Sequence, residues 1–236
     1  MSVEQLKFFL STEQECSYLD GLTSASVFAD PNDEMTTEMY STLIDHGFRR
    51  SAQFVYRPHC PSCDSCKPAR IPVAEFKISR NQKRVRNKNK DIVVKTHPAE
   101  FNPIHFQLYR KYISTRHADG EMNSTSEERY ISFLTSDWCD TVFYEFYLEE
   151  NLVAIAVTDI LSNGLSALYT FFDPDYSELS LGTYAILWQI KESLRLKKKW
   201  LYLGYWIKES EKMRYKQNFS PLQIWQNERW QLLEKE

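Results

Sequence analysis

Three thiols stand close together in Cys60-Pro-Ser-Cys-Asp-Ser-Cys, and Cys60, Cys63 and Cys66 have a spacing that suits thiolate ligation. Cys16, His59 or His97 could complete such a site, but isolated thiols also pack as small buried residues, and the sequence assigns no metal to them. A second constellation is charge. Lys77, Arg80, Lys83, Arg84, Arg86, Lys88 and Lys90 fall in one stretch without an acid, which suits phosphate contact better than a salt-bridged helix face. Arg195 to Lys199 is a further basic cluster that could extend it. Arg116-His117 joins a forked cation to an imidazole that titrates near neutrality; the structural alternative is a helix-end arginine and a capping histidine. Ser180-Leu-Gly-Thr opens a long amphipathic segment, so backbone N–H groups around Ser180 and Gly182 are free to receive a phosphate or an oxyanion. Asp173 and Tyr205 each follow an apolar strand and would face the cleft where those strands diverge. The alternatives are an Asp-Pro turn and a core tyrosine.

These residues need elements to hold them. Met35 to His46 has helical spacing and ends at Gly47, and Phe48 to Tyr56 alternates like a strand that delivers the chain to the cysteine segment. That segment, through Lys67-Pro-Ala-Arg-Ile-Pro, reads as a shaped loop. Asn102-Pro103 opens a helix carrying Ile104, Leu108 and Tyr112, and Ser124 with Glu127 offers a capping box for the next. Thr141 to Leu148, Leu152 to Leu161 and Leu165 to Phe172 are aromatic and β-branched runs separated by turns, a three-strand antiparallel meander. Leu181 to Lys198 then reads as an amphipathic helix and Trp200 to Leu203 as a strand. Meander, helix, strand is the order of an acetyltransferase-like (GNAT) acyl-transfer domain. The expected class is α+β, with residues 1–100 an N-terminal α+β subdomain carrying the cysteine loop and basic run, and residues 101–236 the acyl-transfer domain.

At 236 residues, 42% hydrophobic, the chain can bury a substantial core. Its longest apolar runs fall short of a membrane span, and its start lacks a basic segment followed by an apolar one, so neither membrane insertion nor export is expected. The odd set of 5 cysteines suits a reducing compartment, and the expected location is the cytoplasm. A net charge of -3 makes any nucleic-acid contact a matter of local clustering.

The cysteine segment through Pro72, Arg116-His117-Ala-Asp-Gly, and Leu203-Gly-Tyr-Trp-Ile with Lys212-Met-Arg-Tyr-Lys and Phe219-Ser-Pro together resemble the arginyl-tRNA-protein transferase superfamily. Short length, three-cysteine spacing and the absence of long insertions favour its bacterial leucyl-transferring branch. The resemblance implies transfer of leucine from Leu-tRNA to the α-amine of proteins beginning with Asp or Glu, which marks them for degradation, with no cofactor. Relatives that bind an iron-sulfur cluster use a Cys-x-x-Cys pair near the N-terminus, where this chain has Cys16-Ser-Tyr-Leu. Because the aminoacyl ester is already activated, such an enzyme needs positioning groups and oxyanion donors more than a nucleophile. An acidic acceptor calls for a cation, and Lys67, Arg70 and Arg116 are the candidates, with His117 handling the proton. Asp173, Tyr205 and His117 form the expected catalytic set. Ser180, Gly182, Lys212, Tyr215, Lys216, Arg80, Lys83, Arg84 and Arg86 form the expected aminoacyl-tRNA surface. Arginyl transfer to the same acceptors, an acyl-coenzyme A enzyme, and a zinc- or RNA-binding module are the alternatives; the single glycine of Ser180-Leu-Gly-Thr weakens the second.

Overall fold

The computed structural model describes residues 6–116 and 126–234. Near the start, β1 (Phe8–Leu10) is followed by a ribbon of β2 (Gln14–Glu15) with β3 (Thr23–Ser24), then by β4 (Ser26–Ala29). The expected first helix is α1 (Thr37–Asp45); the Thr36 hydroxyl accepts the Met39 N–H, and Met39, Tyr40, Leu43 and Ile44 are buried as their spacing demands. Phe48 to Tyr56, expected as one strand, is a hairpin of β5 (Arg49–Ser51) and β6 (Phe54–Pro58). Ala52 takes a left-handed φ of 53° there, which reverses the chain. These strands form a sheet in the order β1-β4-β6-β5.

Two segments differ from expectation. The end of the supposed loop is β7 (Lys67–Pro72), inside the large sheet, where burial of Ala69 and Ile71 outweighs the donors its prolines lack. The basic run is α2 (Arg80–Lys88), held by a capping box in which the Ser79 hydroxyl accepts from Gln82 N and the Gln82 side chain accepts from Ser79 N. Then come β8 (Ile92–Pro98), α3 (Pro103–Arg116) and α4 (Glu127–Leu134). Ser126 supplies the α4 cap; Ser124 lies outside the described residues.

The meander is β9 (Thr141–Leu148), β10 (Asn151–Ile160) and β11 (Gly164–Phe172), followed by α5 (Leu181–Arg195) and β12 (Trp200–Trp206). A short α6 (Glu211–Arg214) leads to the hairpin β13 (Gln223–Gln226) and β14 (Arg229–Leu232). The large sheet has 8 strands in the order β14-β13-β7-β12-β11-β10-β9-β8, so the protein is a mixed α+β fold about one large sheet. Strands from both sides of residue 100 share it: β8 pairs with β9, and β7 lies between β13 and β12. Alternation sorts its faces. Tyr144, Phe146, Ala154 and Ala156 pack under α5, whereas Phe143, Ile155 and Val157 pack under α3 and α4.

Candidate active site

The parallel strands β11 and β12 pair only from Gly164–Ser166 to Trp200–Tyr202 and then part. Leu168 is an extra residue on β11, because Val157 faces Tyr169 while Thr158 faces Ala167. On the other side, the register of β12 against β7 shifts between Tyr202 and Tyr205, where Gly204 takes φ +72°. Strands that part leave carbonyls needing donors. The Arg49 Nη2 group donates to the Leu168 carbonyl at 2.6 Å, and the Lys216 Nζ group donates to the Tyr205 carbonyl at 2.8 Å. Two cations from distant parts of the chain therefore fill the fork between the strands.

Strand alternation puts Arg49 there. It faces Tyr56 across the β5–β6 ladder, so the two side chains share one face, while Arg50 faces Val55 on the other. A Cβ added to Gly204 would lie 2.0 Å from Arg49 Nη1, so both the backbone angle and the guanidinium require glycine. The phenols of Tyr56, Tyr205 and Tyr18 lie within electrostatic reach of Arg49. Tyr205 is buried, its hydroxyl donates to the Tyr56 carbonyl at 3.3 Å, and burial, with Tyr56 nearby, keeps its phenol protonated. Lys216 is 4% exposed, and burial followed by the Arg49 charge pulls its amine down to about 7. Among the described residues neither cation has a carboxylate partner, and Arg49 Nε and Nη1 have no hydrogen-bond acceptor.

A cavity of about 440 Å³ meets the fork at Tyr205, and its lining includes Tyr18, Tyr56, Cys16, Cys60, Cys63 and Cys66. Burial, then the neighbouring Cys60, Cys16 and Cys63, push the Cys66 thiol up to about 12. The four cysteines thus gather as their spacing suggested, yet among the described residues no group of three or more His, Cys, Asp or Glu side chains is arranged to hold a metal ion. Lys67 also lines the cavity and is paired at 2.6 Å with Asp64, whose carboxyl is lowered first by that hydrogen bond and then by the lysine's charge.

Most other sequence-selected residues lie apart from the fork; Tyr215, whose ring centre is 5.1 Å from Lys216 Nζ, does not. Arg70 is sandwiched between Trp200 and Trp230, with its guanidinium carbon 3.6 and 4.1 Å from their rings, and it donates to Asp45 and Gln223. Asp173 accepts from Asp175 N and pairs with Lys111 at 2.6 Å, the turn chemistry an Asp-Pro step favours. Arg116 closes α3, and His117 lies outside the described residues. Ser180 has a left-handed φ of 53° ahead of α5, and Gly182 follows it in the first turn. The basic helix is tied to that point, since Asn89 at its end donates to the Leu179 carbonyl and Lys88 to the Glu178 carbonyl. Arg80, Lys83, Arg84 and Arg86 are exposed on it. Arg195 to Lys199 stands at the far end of α5, where Arg195 pairs with Glu192 and Lys198 donates to the Leu161 and Ser162 carbonyls. Lys212 lies on α6, and Tyr215 begins the turn that brings Lys216 to the fork. Arg49 and Tyr56 were not singled out from the sequence. The signal was available in the doubled arginine of an alternating strand, which must send one guanidinium to each face.

Family models described as "Arginine-tRNA-protein transferase, N terminus" and "Arginine-tRNA-protein transferase, C terminus" match residues 14–84 and 104–226. The chain is 47% identical over 229 residues to an aspartate/glutamate leucyltransferase of Nitrosococcus oceani, covering 97% of this chain and 96% of that one. It is 47% identical over 226 residues to the protein of the same description from Pseudomonas aeruginosa, covering 96% of each. Among solved structures, L-PGS from Bacillus licheniformis aligns over 86% of this chain and 69% of its own at 9% identity and a TM-score of 0.47, which is too slight a likeness to carry an argument.

Proposed function

The chain belongs to the arginine-tRNA-protein transferase family, and from that premise we propose that it moves leucine from Leu-tRNA to the α-amine of proteins whose first residue is Asp or Glu. It is an aminoacyltransferase. The identity of the donor and of the acceptors is supported by near-full-length similarity to aspartate/glutamate leucyltransferases. The observation that carries the mechanism is the fork itself: a bulged strand and a diverging strand, with two cations between them and no anion.

In the proposed reaction the neutral α-amine attacks the ester carbonyl, a C–N bond forms, and the bond to the ribose oxygen breaks. That oxygen takes up a proton as the amine gives one up. The tRNA end approaches across the exposed cations of α2 to the N-terminus of α5, where free N–H groups meet its phosphates. Lys212 and Tyr215 flank the same approach. Tyr205, a protonated donor beside the fork, stays in the catalytic set, and His117, outside the described residues, stays as the proposed proton-handling group. Arg116 and Lys67 remain acceptor candidates. Asp173 and Arg70 are moved out of the site, because their polar groups are committed to Lys111 and Asp175 and to Asp45 and Gln223. Lys216 is reassigned from tRNA contact to support of the fork.

The acyl-transfer part, residues 101–236, is proposed to follow the acetyltransferase-like plan, with residues 1–100 as its N-terminal subdomain. The cytoplasm is the proposed location; among the described residues, no helix is long and apolar enough to cross a membrane. The test is transfer of radiolabelled leucine or arginine from charged tRNA to peptides beginning Asp, Glu, Lys or Ala. Leucine appearing on Asp and Glu alone is the expected result. Arginine on the same peptides would replace the donor, and no transfer from either would overturn the proposal.

A further inference from the structure

The fork presents a guanidinium held in place but left unfinished. Its Nη2 is anchored to the bulged strand, the flat of the group lies over Gly204, and its Nε and Nη1 have no acceptor among the described residues. The Nε and Nη1 hydrogens diverge, so a planar, two-oxygen anion would be met by one of them together with the second hydrogen of the anchored Nη2. A polynucleotide phosphate fits poorly here, because the cations suited to a phosphate lane are exposed on α2, whereas Arg49 stands half-buried among phenols. The other cations of this region are spoken for or lack the fork: Arg70 is paired and stacked, Lys67 is paired with Asp64, and Lys216 caps the Tyr205 carbonyl.

We propose that Arg49 binds the side-chain carboxylate of the acceptor's N-terminal Asp or Glu and so determines the preference for acidic acceptors. This assignment rests on the transfer reaction proposed above and names the residue that reads its acceptor. It also has a chemical consequence for the nucleophile. A free acidic side chain holds the proton on its own α-ammonium by charge attraction. Pairing that carboxylate with Arg49 cancels the attraction, and the nearby Lys216 further disfavours an ammonium, so the neutral amine is favoured where it must attack. The amine's proton passes to solvent or to the proton-handling group before the C–N bond forms.

The experiment measures leucyl transfer to four peptides identical except for a first residue of Asp, Glu, Asn or Gln, using wild type, Arg49→Met, Arg49→Lys and Gly204→Ala. Loss of a charge-assisted pair in a dry site is expected to raise KM for the Asp and Glu peptides about 100-fold in Arg49→Met, with kcat much less affected. Asn and Gln peptides, poor substrates throughout, should change little, so the preference collapses. Added guanidinium ion should restore part of it. Gly204→Ala, whose new methyl group displaces the guanidinium, should reproduce the selective loss without touching an ionisable group. Binding of Leu-tRNA should be unchanged in all variants. An equal fall in kcat for all four peptides, or weakened tRNA binding, would overturn the assignment and make Arg49 an oxyanion or tRNA group. If Arg49→Met does not fold, Arg49→Lys and Gly204→Ala decide by the same criteria. Absence of transfer by wild type would defeat the reaction instead. Calorimetric binding of the Asp and Asn peptides to wild type and Arg49→Lys would then judge Arg49 separately.

Discussion

Arg49 and Arg50 are adjacent, identical in type and opposite in circumstance. Arg50 is sealed at 0% side-chain exposure against Asp159, also at 0%, with Nε to Oδ2 at 3.1 Å and Nη2 to Oδ1 at 2.5 Å. Its remaining donors reach the Ala52 and Leu134 carbonyls and the Thr141 hydroxyl, so every side-chain nitrogen is used. Among the described residues, Arg49 has one anchor and no anion. A completed buried pair fixes the small sheet to the large one, and an incomplete group one residue away is available to a ligand. The role proposed for Arg49 is thus argued from its unsatisfied donors, which Arg50 lacks, and not from residue type.

The largest effect should come from breaking the completed pair. Asp159→Ala strands a buried guanidinium and should cost about 3–5 kcal/mol in urea unfolding, while the protein that remains folded keeps its acidic-acceptor preference. Arg49→Met should show the reverse, a change in stability within about 1 kcal/mol together with the loss of discrimination described above. Lys216→Met sharpens the comparison through pH. The folded amine titrates at about 7, below its unfolded value, so between those two pH values the unfolded chain binds more protons and wild-type stability rises with pH. Relative to Lys216→Met, wild type should therefore be least favoured below pH 7 and should gain about 1.4 kcal/mol per pH unit as pH climbs above it, measured as melting temperature across that range. Arg70→Ala, which removes a buried, stacked guanidinium paired with a half-exposed Asp45, should cost about 2–3 kcal/mol of stability and leave the ratio of Asp to Asn peptide use unchanged. Smallest in stability is the Lys83, Arg84 and Arg86 to Gln triple change, within about 0.5 kcal/mol. It should nonetheless flatten the salt dependence of tRNA binding by roughly 0.7–0.9 per lost phosphate contact.

Much of this fold was legible because it is locally encoded. The meander strands are continuous apolar runs buried on both faces, α1 and α5 follow helical spacing, and the Asn102-Pro103 step opens α3 with the Asn102 side chain accepting from Ile104 N at 2.8 Å. The helix α2 escaped notice because it has no apolar stripe; it buries Gln82 and is held by its cap and by Asn89. The strand β7 escaped because proline argues against a central strand, and only its neighbours β12 and β13 override that preference. Among the site residues, the gathering of the cysteines was foreshadowed and the Asp173-Pro174 turn was the stated alternative, while the proximity of α2 to Ser180 and the commitment of Arg70 were not.

The sequence by itself determined the meander and the apolar-striped helices, where cations and thiols concentrate, and to which family the chain is similar, because each of these resides in neighbouring residues or their order. Only the tertiary structure decided which arginine is finished and which is open. That distinction depends on where β11 and β12 part, on the bulge that frees the Leu168 carbonyl and on the Cβ that Gly204 lacks, all of them pairings between residues more than a hundred positions from Arg49.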